Sequence, residues 1–219
     1  MFRDRSEAGR LLAKRLLTFK DSHPVVLALP RGGVPIGFEV ARLLQAPLDL
    51  VLVRKIGAPH HEELAIGAVA DGENPELVTD ADLVAALGVT PEYLGQTKRA
   101  ALREIERRRR AWFGDRAPVQ VAGRTAIVVD DGIATGATMK VALRATRWRK
   151  PARLVLAVPV APPHSIEELE AEADEIICLD TPADFFAVGQ FYRQFPQLRD
   201  EEVTDLLDRA RSFASPVRP

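Results

Sequence analysis

The chain has 219 residues, of which 47% are hydrophobic and 28% are charged, and its formal net charge is −1. These proportions are typical of a soluble domain with one sizeable core, and the near-neutral charge gives no indication of a nucleic-acid or membrane partner. The one cysteine excludes an internal disulfide, the first ten residues are too polar for a secretory signal, and no apolar run approaches the roughly 20 residues that span a bilayer. We therefore expect a single cytoplasmic domain over residues 1–219.

Strand-like and helix-like segments alternate along the chain, and the strand-like segments are near-continuous apolar runs. The predicted strands cover residues 25–29, 48–53, 65–69, 126–129, 154–158 and 175–179. The predicted helices cover residues 4–19, 34–44, 80–87, 91–112, 139–148, 165–173 and 200–213. This alternation predicts an α/β domain whose mostly parallel sheet is flanked by helices on both faces. Ligands of such sheets bind beyond the carboxyl ends of the strands.

A glycine-rich turn, Pro30-Arg31-Gly32-Gly33, follows the first predicted strand. Glycines let the backbone approach a ligand closely, and a guanidinium can grip a diphosphate with two hydrogen bonds. Considered without the rest of the chain, the turn fits an ordinary strand–helix connection with a surface arginine equally well.

A basic pair, Arg54 and Lys55, follows the second predicted strand and leads into a segment that contains His60 and His61. Neighbouring side chains on an extended segment point in opposite directions, and no third ligand is evident, so we expect a solvated loop rather than a metal site. Cys178 lies in an apolar strand pattern and is expected to be unreactive.

The densest run of positive charge lies on the predicted helix over 91–112, at residues 107–110. Glu104 and Glu106 precede these arginines by three or four residues, which is the spacing of stabilising pairs on a helix surface. We therefore interpret the run as a solvated helix face rather than a nucleic-acid interface. Thr90 and Pro91 are expected to begin this helix as N-cap and first helical residue.

The most informative segment covers residues 126–139 and reads AIVVDDGIATGATM. A buried strand, two adjacent acids and a turn rich in small and hydroxyl residues precede a helix. Unpaired N–H groups and the helix dipole make such a helix start a site for anions. Asp130 and Asp131 add carboxylates that can hold the two hydroxyls of a ribose and help to fix Mg²⁺. The segment therefore predicts a site for a ribose 5-phosphate unit.

Two other phosphate motifs are excluded by spacing. Gly132 and Gly136 are one residue too close for a Walker loop, and Ala137 stands where that loop needs lysine. No G-x-G-x-x-G motif follows a predicted strand, so a dinucleotide fingerprint is also absent.

The segment over 126–139 resembles the signature of the type I phosphoribosyltransferases, which use 5-phosphoribosyl-1-pyrophosphate (PRPP). The resemblance implies that Asp130 and Asp131 contact the ribose hydroxyls and serve the metal. It implies a 5-phosphate loop formed by Ala134, Thr135, Gly136, Ala137 and Thr138. Gly132 departs from the family pattern, which more often has an aliphatic residue there.

The same resemblance extends to the two earlier turns. It implies a pyrophosphate loop at Arg31, Gly32 and Gly33, and a flexible lid that opens with Arg54 and Lys55 and closes over the reacting centre. A lid is chemically useful because water would capture the oxocarbenium-like ribose that forms when the C1–O bond breaks.

Residues 182–192 concentrate aromatic side chains and resemble the nucleobase-binding hood of hypoxanthine–guanine phosphoribosyltransferase. That match implies Phe186 as a residue that stacks on a base. Core packing under the last helix explains the phenylalanines equally well. Three departures mean that the resemblance implies no purine specificity: Ala134 replaces an acid, Arg193 replaces another, and no lysine follows the strand over 154–158.

Together these features predict a type I phosphoribosyltransferase fold with its core at about 22–180. A small hood is expected from residues 181–199 and the N-terminal helix. The expected activity is Mg²⁺-dependent transfer of 5-phosphoribose from PRPP to a small nitrogenous acceptor; a homodimer is compatible with this activity, and the sequence does not determine the oligomeric state. The alternative is a PRPP or nucleotide sensor without activity, although Arg31, Arg54 and Lys55 favour an enzyme.

Overall fold

The structure, a computed structural model, describes residues 1–71, 75, 77–114 and 116–213, with only the backbone at 62 and 63. The strands in this part of the chain are β1 (Val25–Ala28), β2 (Leu48–Leu50), β3 (Val53–Ala58), β4 (His61–Ala70), β5 (Leu77–Thr79), β6 (Thr125–Val129), β7 (Arg153–Val160) and β8 (Glu175–Asp180). The helices are α1 (Arg5–Arg15), α2 (Gly33–Leu44), α3 (Ala81–Ala86), α4 (Pro91–Phe113), α5 (Ala137–Trp148), α6 (Pro163–Leu169) and α7 (Asp200–Ala210), with 3₁₀ helices at Leu17–Ser22 and Val188–Phe191.

A five-stranded parallel sheet forms the centre of the fold, with the strand order β2-β1-β6-β7-β8. Every residue of β1 and β6 is buried, because helices cover both faces of these strands. Alternate residues join different clusters: Val26 and Ile127 pack with α1, α2, α4 and α7, whereas Leu27 and Val128 pack with α5 and α6. The predicted α/β architecture is confirmed.

A separate antiparallel sheet of β3, β4 and β5 differs from the prediction. The strand predicted over 48–53 ends at Leu50, and Val53 begins β3; the strand predicted over 65–69 belongs to the ten-residue β4. The basic pair expected to open a loop therefore lies in a strand, where Arg54 faces Val69 and Lys55 faces Ala68 in the register. Gly57 of β3 and Gly67 of β4 interrupt the strand pattern, which is why the sequence did not reveal this hairpin. We call β3–β4 the lid hairpin.

Helix α4 begins as predicted, because Thr90 Oγ1 accepts a hydrogen bond from the N–H of Tyr93 and Pro91 occupies the first turn. The predicted surface pairs form between Glu104 and Arg107, Glu104 and Arg108, and Glu106 and Arg110.

Arg109 differs from its neighbours on α4, because it turns inward. Its guanidinium binds Asp49 of β2 at 3.1 Å and Asp71, directly after β4, at 2.7 Å. Burial raises the pKa of Asp71, while the positive charge of Arg109 opposes that rise. This ion triad fixes the base of the lid hairpin to the central sheet.

Several boundaries differ modestly from the prediction. Helix α1 ends at Arg15, where a 3₁₀ helix continues to Ser22, and α6 covers Pro163–Leu169 rather than 165–173. Cys178 is half-buried on the edge strand β8, and burial raises the pKa of its thiol. Among the residues described, no helix combines the length and apolar character needed to cross a membrane.

Candidate active site

The acid pair lies at the carboxyl edge of the sheet, directly after β6. The backbone N–H of Asp131 donates a hydrogen bond to Asp130 Oδ1 at 2.8 Å, which fixes the Asp130 side chain against the backbone of the turn. Burial and the neighbouring Asp131 charge raise the pKa of Asp130 well above its ordinary value. Burial also raises the pKa of Asp131, against the opposing pull of Arg5. Two carboxylates are thus held in a place that disfavours their charge, which is typical of functional sites.

The glycine-rich turn after β1 packs directly on the acid pair. The N–H of Leu29 donates to Val129 O at 2.9 Å, so this turn begins beside the residue that precedes Asp130. A Cβ added at Gly32 would overlap the Asp131 carboxylate, and one added at Gly33 would lie 2.8 Å from Val129 O and 3.2 Å from Asp130 Oδ1. Only glycine allows this approach. The structure therefore brings the turn after β1 into direct contact with the acid pair after β6.

The turn after the acids leads into α5 as predicted, although that helix begins at Ala137 rather than near Met139. Gly136 is the N-cap with φ of 74°, and no side chain caps the helix. The turn is held by a hydrogen bond from Ile133 N to Val160 O at 2.9 Å and another from Ser165 Oγ to Ala134 O at 2.6 Å. Ala134, Thr135 and Ala137 are exposed and Thr138 is half-buried, so an anion can reach the first-turn N–H groups.

A cleft beside this turn joins three of the predicted loops. Thr138 of α5, Pro30 of the glycine-rich turn and Arg54 of the lid hairpin all line it, together with Glu104 and Arg108 of α4. Arg107 and Arg108 lower the pKa of Glu104 to about 2, so this carboxylate is ionised. Its nearest atom lies 3.8 Å from Arg54 Nη1, a loose and half-exposed pair that an incoming anion can replace.

Two predicted basic residues take positions outside this cleft. Arg31 Nε lies 2.9 Å from Asp200 Oδ1, and Arg31 Nη1 donates to Leu198 O at 3.0 Å, so its guanidinium faces the C-terminal segment. Lys55 is exposed on β3, one position beyond Arg54. Successive strand residues point to opposite faces, so the pair does not act as one unit in this arrangement.

Two further residues contact the acid pair and were not predicted from the sequence. Arg5, the first residue of α1, binds Asp131 Oδ2 through its Nε at 2.7 Å. Tyr192 donates its hydroxyl to Asp131 O at 2.5 Å, and burial raises the pKa of that hydroxyl. These contacts join residues 126 and 61 positions apart, so no local pattern could have revealed them.

The phenylalanines of residues 182–195, which we call the tail, occupy two kinds of environment, packed and exposed. Phe185 packs on Phe191 with ring centroids 5.2 Å apart, and Phe195 stacks on Tyr192 at 4.9 Å. Phe186, the residue predicted to stack on a base, is 91% exposed and takes no part in this packing. Core packing therefore explains part of the tail but not Phe186.

The departure at Gly132 has a packing reason. A Cβ added there would lie 2.6 Å from Val188 Cγ1 and 3.0 Å from Val160 Cγ1. The small residue lets the tail pack against the turn that carries the acid pair, which connects the hood with the site.

We predict that Gly132→Ala lowers the free energy of unfolding by about 1–2 kcal/mol, because the added methyl overpacks this contact. Denaturant titration measures the loss, and adding Val188→Ala to the variant should restore part of it. An unchanged unfolding midpoint in Gly132→Ala would contradict the packing explanation.

Comparison with known proteins identifies the family. Residues 5–195 match the family model of the phosphoribosyl transferase domain, and the chain belongs to that family, whose type I members have the fold and the acid-pair signature described above. The chain is 47% identical over 215 residues to a Mycobacterium tuberculosis protein named "Putative phosphoribosyl transferase", which matches in two strains, CDC 1551 and H37Rv. The match covers 98% of this chain and 48% of the relative, so the chain spans about half the length of these curated relatives.

A solved structure supports the fold. The crystal structure of TT1426 from Thermus thermophilus superposes with a TM-score of 0.81 at 42% sequence identity, covering 98% of this chain and 100% of that one. The predicted family and fold class are both confirmed.

Proposed function

We propose that the chain binds PRPP at the carboxyl edge of the sheet and transfers its 5-phosphoribosyl group to a nitrogenous base, releasing pyrophosphate. Membership of the phosphoribosyl transferase family supports the use of PRPP. The observation that carries the proposal is the close packing of Gly32 and Gly33 on Asp130 and Asp131, beside an uncapped helix start. This arrangement offers adjacent places for a diphosphate, a ribose diol and a phosphate.

The reaction breaks the bond between ribose C1 and a pyrophosphate oxygen and forms a bond between C1 and a nitrogen of the acceptor. The acceptor nitrogen supplies the electron pair, pyrophosphate leaves with the pair of the broken bond, and the acceptor loses a proton. Asp130 and Asp131 accept hydrogen bonds from the ribose hydroxyls, and their negative charge stabilises the positive charge that develops on the sugar. The N–H groups at residues 135–138 bind the 5-phosphate.

The leaving group is bound by the basic residues of the first two loops. The backbone of Gly32 and Gly33 approaches the diphosphate, and Arg54 exchanges its loose contact with Glu104 for a phosphate oxygen. Lys55 supplies further positive charge when the lid hairpin closes and excludes water, and Arg31 does so once its guanidinium leaves Asp200.

The donor chemistry of the site fits Mg²⁺ bound together with substrate. The residues described contain no cluster of three or more acidic, histidine or cysteine side chains that could hold a metal ion. Mg²⁺ commonly uses one or two carboxylates with substrate phosphates and water, and Asp130 and Asp131 are suited to that role. When bound, Mg²⁺ would neutralise charge on the departing pyrophosphate.

The acceptor is proposed to stack on Phe186. This ring is exposed, and Val188, two residues further along the chain, packs against Gly132 beside the acids. The tail therefore carries an exposed aromatic ring two residues before its contact with the turn that follows the acids.

We predict that Phe186→Ala weakens acceptor use roughly tenfold and leaves PRPP affinity and thermal stability unchanged, because a base–aromatic stack contributes about 1–3 kcal/mol. Steady-state kinetics with each substrate varied in turn measures the effect. Phe185→Ala is the control, since loss of its contact with Phe191 should lower stability instead. Unchanged acceptor kinetics in Phe186→Ala would exclude this stacking role.

The activity can be tested directly by incubating the protein with PRPP, Mg²⁺ and a panel of purines, pyrimidines and pyridine carboxylates, with a no-acceptor control. Acceptor-dependent release of pyrophosphate supports the proposal and identifies the base. PRPP binding without pyrophosphate release from any acceptor would instead support a PRPP sensor. Absence of PRPP binding would exclude both.

A further inference from the structure

Arg5 reaches the acid pair from outside the central sheet. It is the first residue of α1, yet its Nε lies 2.7 Å from Asp131 Oδ2. The two side chains are only 11% and 13% exposed, so this is a shielded pair rather than a flexible surface contact.

The guanidinium of Arg5 is itself fixed on two further sides. The guanidinium carbon, Cζ, lies 3.7 Å from the centroid of the Phe195 ring, and Arg5 Nη1 donates a hydrogen bond to Pro196 O at 2.8 Å. Stacking on one face and hydrogen bonds at the edge leave the planar group one orientation.

Asp131 is held by the same cluster at a second atom. Tyr192, whose ring stacks on Phe195, donates its hydroxyl to the backbone oxygen of Asp131. We call Arg5, Tyr192 and Phe195 the Arg5 clamp. The clamp fixes both the backbone and the carboxylate of one acid, whereas Asp130 receives a hydrogen bond from the Asp131 N–H.

The N-terminal and C-terminal segments assemble the clamp together. Phe2 N donates to Phe191 O at 2.7 Å, and Arg193 N donates to Phe2 O at 2.9 Å. These bonds bring the start of α1 beside Phe195, so the clamp exists only when the two distant segments are paired.

We propose that Arg5 is a positioning residue for ribose recognition, an inference that rests on the proposed function. Arg5 holds Asp131 Oδ2 and thereby leaves Oδ1 to accept a hydrogen bond from one ribose hydroxyl. Its positive charge also offsets one of two adjacent carboxylates, which allows both to remain beside the sugar. Arg5 touches neither the leaving group nor the acceptor and acts through Asp131.

The opposite role would be competition, in which Arg5 occupies the place of a ribose hydroxyl and must leave before PRPP binds. The two roles predict opposite results for Arg5→Ala. A positioning residue strengthens PRPP binding, so its loss weakens binding; a competing residue weakens PRPP binding, so its loss strengthens it.

The test is calorimetric titration of PRPP with Mg²⁺, and of analogues lacking the ribose 2-hydroxyl or 3-hydroxyl, into wild type and Arg5→Ala. We expect Arg5→Ala to weaken PRPP binding by at least about tenfold, as expected for a lost hydrogen bond between charged groups. The same substitution should weaken the binding of one deoxy analogue much less, because that analogue lacks the hydroxyl that Asp131 binds. A merely structural role of Arg5 would weaken all three ligands equally.

Arg10→Ala is the matched control, because Arg10 also forms an ion pair from α1, with Glu39 at 3.2 Å, but belongs to no part of the clamp. If Arg5→Ala does not fold, Phe195→Leu removes the supporting ring while keeping the ion pair, and a smaller loss in the same direction is expected. Unchanged or tighter PRPP binding in a folded clamp variant overturns the inference. Failure of the wild type to bind PRPP overturns the proposed function itself.

Discussion

Asp130→Asn should lower PRPP turnover by about 10²–10³-fold while leaving the melting temperature of the free protein unchanged or higher. Removing one preorganised group that stabilises transition-state charge has an effect of this size. Stability should not fall, because burial and Asp131 disfavour the charge on Asp130 and raise the pKa of its carboxyl. The amide oxygen of asparagine can still accept the hydrogen bond from the Asp131 N–H.

Turnover and thermal unfolding should be measured on the same preparation, with unfolding recorded without Mg²⁺ or PRPP. Asp205→Asn is the control, since Asp205 pairs with Arg209 on the exposed face of α7, and neither quantity should change much. A loss of stability in Asp130→Asn with full turnover would show that this acid is structural.

Gly32→Ala is the second substitution with a large expected effect, a loss of about 10²-fold in PRPP affinity or turnover. The added methyl would overlap Asp131 Oδ2, the oxygen that Arg5 binds, so the carboxylate must move. Displacement of a positioning group by about 1 Å commonly has a cost of this order. The backbone at Gly32 has no positive φ and the overlap involves a side chain, so the fold itself should tolerate the change.

Gly95→Ala is the matched control. Gly95 lies on α4, and a Cβ added there meets only the end of the Arg99 side chain, at 3.6 Å. It should leave PRPP affinity unchanged. Wild-type affinity in Gly32→Ala would mean that the Asp131 carboxylate is not needed in the position shown, which contradicts the proposed ribose site.

The central sheet and the main elements of the site could be predicted from the sequence because their signals are local. Apolar runs such as residues 126–129 need no knowledge of a distant partner, and the acids, the turn and the helix that follow are consecutive. Parallel topology then places the glycine-rich turn at residues 30–33 at the same sheet edge, which the structure shows through the overlap at Gly32.

The Arg5 clamp could not be predicted in this way, because its defining contacts lie between distant segments, whereas glycines in both strands obscured the pattern of the lid hairpin. Arg5 contacts Asp131 only because the tail brings Phe195 to α1. Such contacts depend on the completed fold.

Arg109 is a different case, because the sequence did contain a signal for its inward position. It lies four residues after Ile105 and three before Trp112, both of which are buried on α4. Helical periodicity therefore places Arg109 on the buried face, where a charge needs acidic partners such as Asp49 and Asp71. The spacing of Glu106 and Arg109 also fits a pair on the exposed face of a helix, which is why Arg109 was predicted to lie there.

The most direct test is a crystal structure of the protein grown with PRPP and Mg²⁺. We predict that the two ribose hydroxyls lie within hydrogen-bond distance, about 3 Å, of carboxylate oxygens of Asp130 and Asp131, with the 5-phosphate on the N–H groups of residues 135–138. A sugar bound elsewhere on the protein, or acids that make no contact with it, would contradict the proposed site.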